Sequence, residues 1–453
     1  MQEQEFHNEE SRVEYLQQLI DDGTFRKASR LLGALAPGEV AHLLESVPPP
    51  QRQVIWKLIS EEGGGDVLME LTEEVRADLL NRMDSAEVLA VSESLDTDDL
   101  VDLIQQLPHT ITREIIESLD GQHRARLEAA LSYPEDTAGG LMNPDVVTVR
   151  PEVTVDVVVR YLRRVREQLS PRTDILVVVN RQGKYLGALA LADLVIAESD
   201  QTVAEVMTLD FPPLPASIDE REVASRFEQH DLVSAPVVND EGFLLGMITI
   251  DDVVDVIREE GEHQFMGRAG LSEEEDMFAP ILTSARRRAF WLGINLITAF
   301  LASWVIGLFE ATIQQVVALA VLMPIVASMG GIAGTQTLTV MIRGLALGQV
   351  DRANRGFLLG KELGVGALNG LLWAVVVGLV AYLWFGSRDI GLIIAAAMVI
   401  NLLCAALTGV LVPVALRRLN IDPALAGGVV LTTVTDVVGF LAFLGLATAF
   451  LLE

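Results

Sequence analysis

Three rhythms of apolar and polar residues divide the chain. Up to residue 135 apolar positions recur at helical spacing in short runs broken by Pro, Gly and Ser. One run repeats: Leu35-APGEVAHLLESV-Pro48 aligns with Leu95-DTDDLVDLIQQL-Pro108 at an offset of 60. Both copies carry acids at the front, where they suit a helix N-terminus. The pattern predicts a superhelical α-helical repeat domain over 1–135. Residues 136–260 change to short apolar strands, glycine-bearing turns and helix starts, and repeat again. Gly183, Gly187 and Asp193 fall 59 residues before Gly242, Gly246 and Asp252. From 289 onward the polar positions nearly vanish, and five runs are long enough to cross a bilayer as helices: 289–309, 313–329, 357–385, 389–416 and 424–452.

The fifth run holds one carboxylate, Asp436, with Thr432 and Gly428 one and two turns before it. At ~1.5 Å per residue it lies about 18 Å beyond Ala424, near mid-membrane. A charge there costs roughly 2.5–3.5 kcal/mol on insertion scales, which points to a cation site rather than an incidental side chain. Carboxylate, hydroxyl and carbonyl oxygens suit Mg²⁺ or Ca²⁺ rather than copper or zinc. Two other features of the apolar region bear on packing. The second run ends in Met329-Gly-Gly-Ile-Ala-Gly-Thr-Gln336, which reads either as a helix-ending turn or as irregular backbone exposing carbonyls at membrane depth. The third carries Gly360-x-x-x-Gly364 and Gly366-x-x-x-Gly370, spacings of a close helix-packing face.

Charge separates the two halves. Residues 284–453 hold ten Lys/Arg and seven Asp/Glu, leaving 23 and 56 in 1–283, a net −33. So acidic a half attracts cations and repels nucleic acid, which is excluded as a partner. Basic residues favour one side of the five runs: Arg286–Arg288, Arg343, Arg352, Arg355, Lys361, Arg417 and Arg418, against Arg388 on the other. The positive-inside rule then puts the N-terminal half in the cytoplasm of a bacterial-type plasma membrane and the C-terminus outside. The N-terminus lacks the basic and apolar regions of a signal peptide. The lone Cys404 and six scattered histidines exclude a disulfide framework and a Cys- or His-based zinc site. No nucleophile–base pair, hydrolase spacing or Walker-type loop is present, so an enzyme is not expected.

The segment Ala235-Pro-Val-Val-Asn-Asp-Glu-Gly242, followed by Gly246-Met-Ile-Thr-Ile-Asp-Asp252, resembles a cystathionine-β-synthase-type (CBS) domain, and the repeat makes a tandem pair, 136–200 and 201–257. In that family Thr249-x-x-Asp252 is the pattern that contacts a nucleotide ribose, which leaves ATP at the pair an open expectation; the first copy reads Ala190-Leu-Ala-Asp193. An acidic connecting, plug-like helix follows at 258–284, with Glu259, Glu260, Glu262 and Glu273–Asp276, and then the membrane domain at 285–453.

This order resembles the MgtE-type magnesium transporter family, most specifically in Tyr133-Pro-Glu-Asp-Thr-Ala-Gly-Gly-Leu-Met-Asn-Pro144, Asp422-Pro-Ala-Leu425 and Thr435-Asp436. The resemblance implies a homodimeric Mg²⁺ channel in the lipid bilayer, with the second and fifth spans lining the pore, Asp436 as pore site and Asp422 near the cytoplasmic mouth. It also implies regulatory Mg²⁺ at Asp98, Asp102, Asp219, Asp231, Asp252, Asp255 and Glu260. Members of the family often carry Asn near the second-span glycines and eight residues before the pore Asp; here those places read Ile332-Ala-Gly-Thr-Gln336 and Gly428, and His263-Gln264 stand where acids would bridge a cation. The alternatives are a CBS-regulated channel for another ion, Co²⁺ or an anion, and a membrane-anchored nucleotide sensor.

Overall fold

The computed structural model describes residues 9–451 apart from 120, 167–168, 170–172, 268 and 272–274. It forms two units, one of residues up to 260 together with 275–279, the other of 261–271 together with 280 onward. Glu273 and Glu274 of the acidic connector and Leu452 of the fifth apolar run lie outside the described residues.

The first unit begins with short helices between Glu9 and Ala130 around one apolar core. The 60-residue repeat is explicit in that core. Val40, Ala41, Leu43, Leu44 and Val47 are buried in one copy and Leu100, Val101, Leu103, Ile104 and Leu107 in the other, each pair 60 apart. The second copy's helix is α1 (Thr97–Gln106). Tyr133–Pro144 leads out of this domain through two glycines that nothing larger could replace. A Cβ on Gly139 would lie 2.5 Å from the Tyr133 ring, and one on Gly140 would lie 2.4 Å from the Glu135 carbonyl.

Two small sheets follow, β1 (Thr148–Val149), β2 (Ile175–Val179) and β3 (Tyr185–Ala190), then β4 (Leu214–Pro215), β5 (Ser234–Val238) and β6 (Leu244–Thr249). In each, the first strand pairs parallel to the second and the second antiparallel to the third. The register repeats at 59, with Val178 opposite Gly187 and Val237 opposite Gly246. Their turns repeat too. Asn180 accepts from the Gln182 and Lys184 N–H groups, Asn239 from those of Glu241 and Phe243, and Gly183 and Gly242 take φ of +90° and +82°, which favour glycine. Helix α2 (Glu220–His230) precedes β5, and α3 (Ile250–Gly267) follows β6.

Helix α3 runs unbroken through 257–258 and stops at Gly267, and the next helix starts at Ile281, so the 258–284 connector is helical only at its two ends among the described residues. Gly270 at φ +70° turns the chain away. In the first unit, residues 275–279 are held by a buried ion pair. Asp276 takes two bonds from the fully buried Arg52, 2.5 and 2.7 Å, and its N–H donates to Glu74. The Arg52 Nε donates to the Leu44 carbonyl, and its guanidinium lies 5.9 Å from the Phe278 ring centre.

The second unit contains five helices long and apolar enough to cross a membrane: α4 (Ile281–Gly307), α5 (Ala318–Ala346), α6 (Arg355–Phe385), α7 (Arg388–Arg418) and α8 (Pro423–Leu451). Helix α7 is central, packing on α5, α6 and α8. Two expectations need correction. The glycines after Met329 neither end a helix nor expose carbonyls, because α5 continues through them to Ala346. Packing accounts for this: a Cβ on Gly330 would sit 2.3 Å from the Asn401 amide and one on Gly334 2.9 Å from Leu431. In α6 only half the glycine pattern packs. A Cβ on Gly366 would lie 2.8 Å from Ala406 and one on Gly370 3.4 Å from Val399, while Gly360 and Gly364 face open space.

Candidate cation pathway and acidic sensor

Asp436 stands 13 residues into the 29-residue α8, about 20 Å from its start. Thr432 Oγ1 donates to the Gly428 carbonyl, and Gly428 itself faces open space. Across from this stripe runs α5, antiparallel to α8: Gly331 meets Thr432, Gly334 meets Leu431, and Gly427 meets Leu338. Thr335 and Gln336, one turn beyond Gly331, are exposed. Among the described residues no donor bonds the Asp436 carboxylate. Asn401 on α7 backs the site. It is fully buried, donates to the Val326 carbonyl of α5 over 2.8 Å, and closes against Gly330 of α5 and Gly439 of α8, three residues from Asp436. The result is a half-exposed carboxylate on a face of small and hydroxyl residues, held between two helices by an amide.

Asp422 caps the start of α8, accepting from the Ala424 N–H at 2.8 Å. Its second oxygen lies 2.6 Å from His263 Nε2, and Gly267 of α3 lies against Ala424. The histidine that departs from the family pattern and the acid expected near the mouth thus make one contact.

In the first unit the structure gathers some of the proposed sensor acids. Burial, reinforced by neighbouring carboxylates, raises Asp98 to about 6, Asp102 to about 7 and Asp252 to about 7. Asp98 and Asp252 repel each other, Asp102 feels Glu135, Asp98 and Glu259, and Arg76 partly offsets its charge. Asn143 donates to Asp98. The Thr249 N–H donates to Asp252 over 3.1 Å, and its hydroxyl, bonded to Asp251, also lies 3.2 Å from Asp252, so the ribose-pattern pair is bonded to itself. Asp219 caps α2 through the Arg221 N–H, and Glu260 pairs with Arg221 at 2.7 Å. The rest lie apart from this cluster. Asp231 is exposed at the far end of α2, in the left-handed conformation at φ +51°, and Asp255 is exposed beside Arg258, 3.1 Å away.

Three further acids belong to the cluster and were not singled out from the sequence. Asp99 is raised furthest, to about 8, by burial and by Asp98, Asp102, Asp96 and Asp252. Burial and Asp136 raise Glu220 to about 7, and burial and Asp136 also raise Glu135. Asp99 was hidden because an acid in the first turn of a helix already has a reason to be there. Among the described residues no three acids or histidines are close enough to hold a bare metal ion. Carboxylates that repel without converging suit a cation that keeps its water, as Mg²⁺ does.

Together these features define a multi-pass membrane protein with a lone carboxylate in its fifth span and an acid-rich module before the spans. Comparison with known proteins is consistent throughout. The model of a divalent cation transporter family, MgtE, matches residues 323–446, that of the MgtE intracellular N domain 35–136, and the CBS domain model 138–200 and 203–259. Along 448 residues the chain is 32% identical to the magnesium transporter MgtE of Thermus thermophilus, covering 97% of this chain and 98% of that one. It is 28% identical over 433 residues to the magnesium transporter MgtE of Bacillus subtilis, 96% of each. The crystal structure of the cytosolic domain of the Mg²⁺ channel MgtE in complex with ATP matches with 32% identity and a TM-score of 0.50, over 54% of this chain and 99% of that one. The chain belongs to the MgtE family of divalent cation transporters. Family membership removes the anion channel and the anchored nucleotide sensor from consideration.

Proposed function

We propose that this protein is a passive Mg²⁺ channel of the plasma membrane, with its N-terminal domains in the cytosol and its C-terminus outside. The observation that carries this reading is Asp436, an intramembrane carboxylate without a donor among the described residues, on a face of Thr432, Gly428 and Gly331, in a chain related along its length to magnesium transporters. Hydrated Mg²⁺ sheds water reluctantly, so one carboxylate per subunit with hydroxyls around it suits passage better than a tight cage. A doubly charged ion gains ~4.6 kcal/mol per 100 mV on entering a cell negative inside, twice the single-charge value, and needs no nucleotide hydrolysis. The polar α5–α8 face, exposed at Thr335 and Gln336, would be costly against lipid. A second copy closing over it about a two-fold axis gives a homodimeric pore.

Gating follows from the acids. Without metal, Asp98, Asp99, Asp102 and Asp252 repel one another across α1 and α3; bound Mg²⁺ offsets that repulsion and favours the compact regulatory module. Helix α3 continues from this cluster to His263, which bonds Asp422, so its position is the signal passed to the pore. Asp219 and Glu260 belong to the same reading through the α2 contact, while Asp231 and Asp255 would act only on a rearranged or dimeric module. ATP at Thr249 and Asp252 extends it, since a related cytosolic domain was crystallised with ATP. Loss of labelled-ATP retention in Thr249→Val tests that extension.

Uptake in cells lacking other Mg²⁺ systems tests the main assignment. Growth at low Mg²⁺ should require Asp436, and Co²⁺ should compete poorly; an active Asp436→Ala variant would remove Asp436 from the pathway.

A further inference from the structure

A second charged feature of the membrane unit has no part in cation passage. Helix α5 ends at Ala346, α6 begins at Arg355 and α7 ends at Arg418, and where the three meet lies a cavity of about 210 Å³. Its walls are Leu345, Arg352, Arg355, Val414, Arg417 and Arg418. Four arginines therefore line one small space, and no acidic residue does. The nearest acid in sequence, Asp351, is engaged elsewhere, accepting from the Ala353 and Asn354 N–H groups. Glu362, two turns further along α6, pairs with Lys361 and accepts from Thr337.

Basic residues at the cytoplasmic ends of membrane helices have an ordinary explanation. They follow the positive-inside rule and satisfy terminal carbonyls, as Arg417 does by donating to Leu345 over 3.2 Å. That explanation does not extend to Arg355. Its Nε is buried without a hydrogen-bond partner, and none of the four arginines forms an ion pair among the described residues. A buried charged donor left unpaired costs more than a neutral one. Four like charges around about 210 Å³ add mutual repulsion that an anion would reverse.

We infer that this cavity binds the phosphate of an anionic phospholipid headgroup. Planar guanidinium forks match phosphate oxygens two at a time. The cavity sits where membrane-spanning helices end, the level at which headgroups lie, and basic pockets between spans on the cytoplasmic side are suited to such lipids. Free inorganic phosphate offers the same oxygens without acyl chains to hold it at that level, and is the competing source.

Full-length protein reconstituted into nanodiscs of phosphatidylcholine alone, or with added phosphatidylglycerol, separates these sources. Phosphatidylglycerol should raise the thermal midpoint of the wild type, and native mass spectrometry should find it retained. Arg355→Gln and Arg417→Gln should need roughly tenfold more of the lipid for the same shift, the loss of about one charge-assisted bond. Arg343→Gln, on the same side but outside the cavity, should behave as wild type. If Arg355→Gln does not fold, the lipid count on Arg417→Gln and on Arg355→Lys decides, a reduced count in the former alone being expected. An equal effect of Arg343→Gln would reduce the effect to general surface charge. A matching shift from inorganic phosphate in pure phosphatidylcholine would reassign the site to a free anion. No response to phosphatidylglycerol would remove it.

Discussion

At the scale of single residues, the site around Asp436 is defined as much by what is small as by what is charged. Gly439 presses on Asn401, and a Cβ there would come within 2.7 Å of its amide, whereas Gly428 opens into space. Gly439→Ala should therefore destabilise the membrane unit by about 1–3 kcal/mol through overpacking. Gly428→Ala should be nearly neutral to stability. Thermal unfolding of the two variants in the same detergent checks the contrast. Asp436 was legible in the sequence because a lone charge in an apolar run has no ordinary explanation. Asn401 was not, since an amide in such a run draws no notice and its partner, the Val326 carbonyl, is 75 positions away. Contacts as remote in sequence, with Asn401 and Leu431, hid Gly330 and Gly334, which read as a break until their neighbours were known.

At the scale of elements, repeats carried most of the information. The offsets of 60 and 59 place buried positions and strand registers in both copies of each domain, because a repeated element needs the same apolar positions wherever it occurs. Contacts between distant segments leave no such trace. The clasp of Arg52 on Asp276 joins positions 224 apart, and nothing near either residue announces it. Removing one partner leaves a charge whose side chain is only 7% exposed, so Arg52→Ala should cost about 3–5 kcal/mol of the packing of 275–279. Burial pushes Asp276 up, yet the Arg52 bonds and the Phe278 N–H outweigh it and hold its pKa below the usual range. Limited proteolysis should accordingly cut the variant between 269 and 279 well before the wild type; equal cleavage rates would mean that the clasp does not anchor the connector.

At the scale of the whole molecule, the charge division was plain in the composition, and under the proposed function it is the origin of the regulatory behaviour. Asp98, Asp99, Asp102, Asp252 and Glu220 bind protons more tightly in the folded module than in an unfolded chain, with values raised to about 6 to 8. Their contribution to stability is complete below about pH 4, the ordinary carboxylate range, and is lost as pH rises through 6 to 8. In metal-free buffer, protease cleavage within 1–283 should accelerate over that interval. Millimolar Mg²⁺ should suppress most of the acceleration, because the cation replaces the lost protons. A cleavage rate independent of both pH and Mg²⁺ would remove the acids from regulation while leaving transport intact.

Transport itself is tested most directly by ion flux. The full-length protein, reconstituted in vesicles holding a Mg²⁺ indicator under an imposed negative-inside potential, should admit Mg²⁺ without nucleotide. Flux should rise with the potential and fall to the protein-free rate in Asp436→Ala that remains folded. Wild-type flux that ignores the potential, or a folded Asp436→Ala that conducts like the wild type, would contradict a passive pathway through that carboxylate.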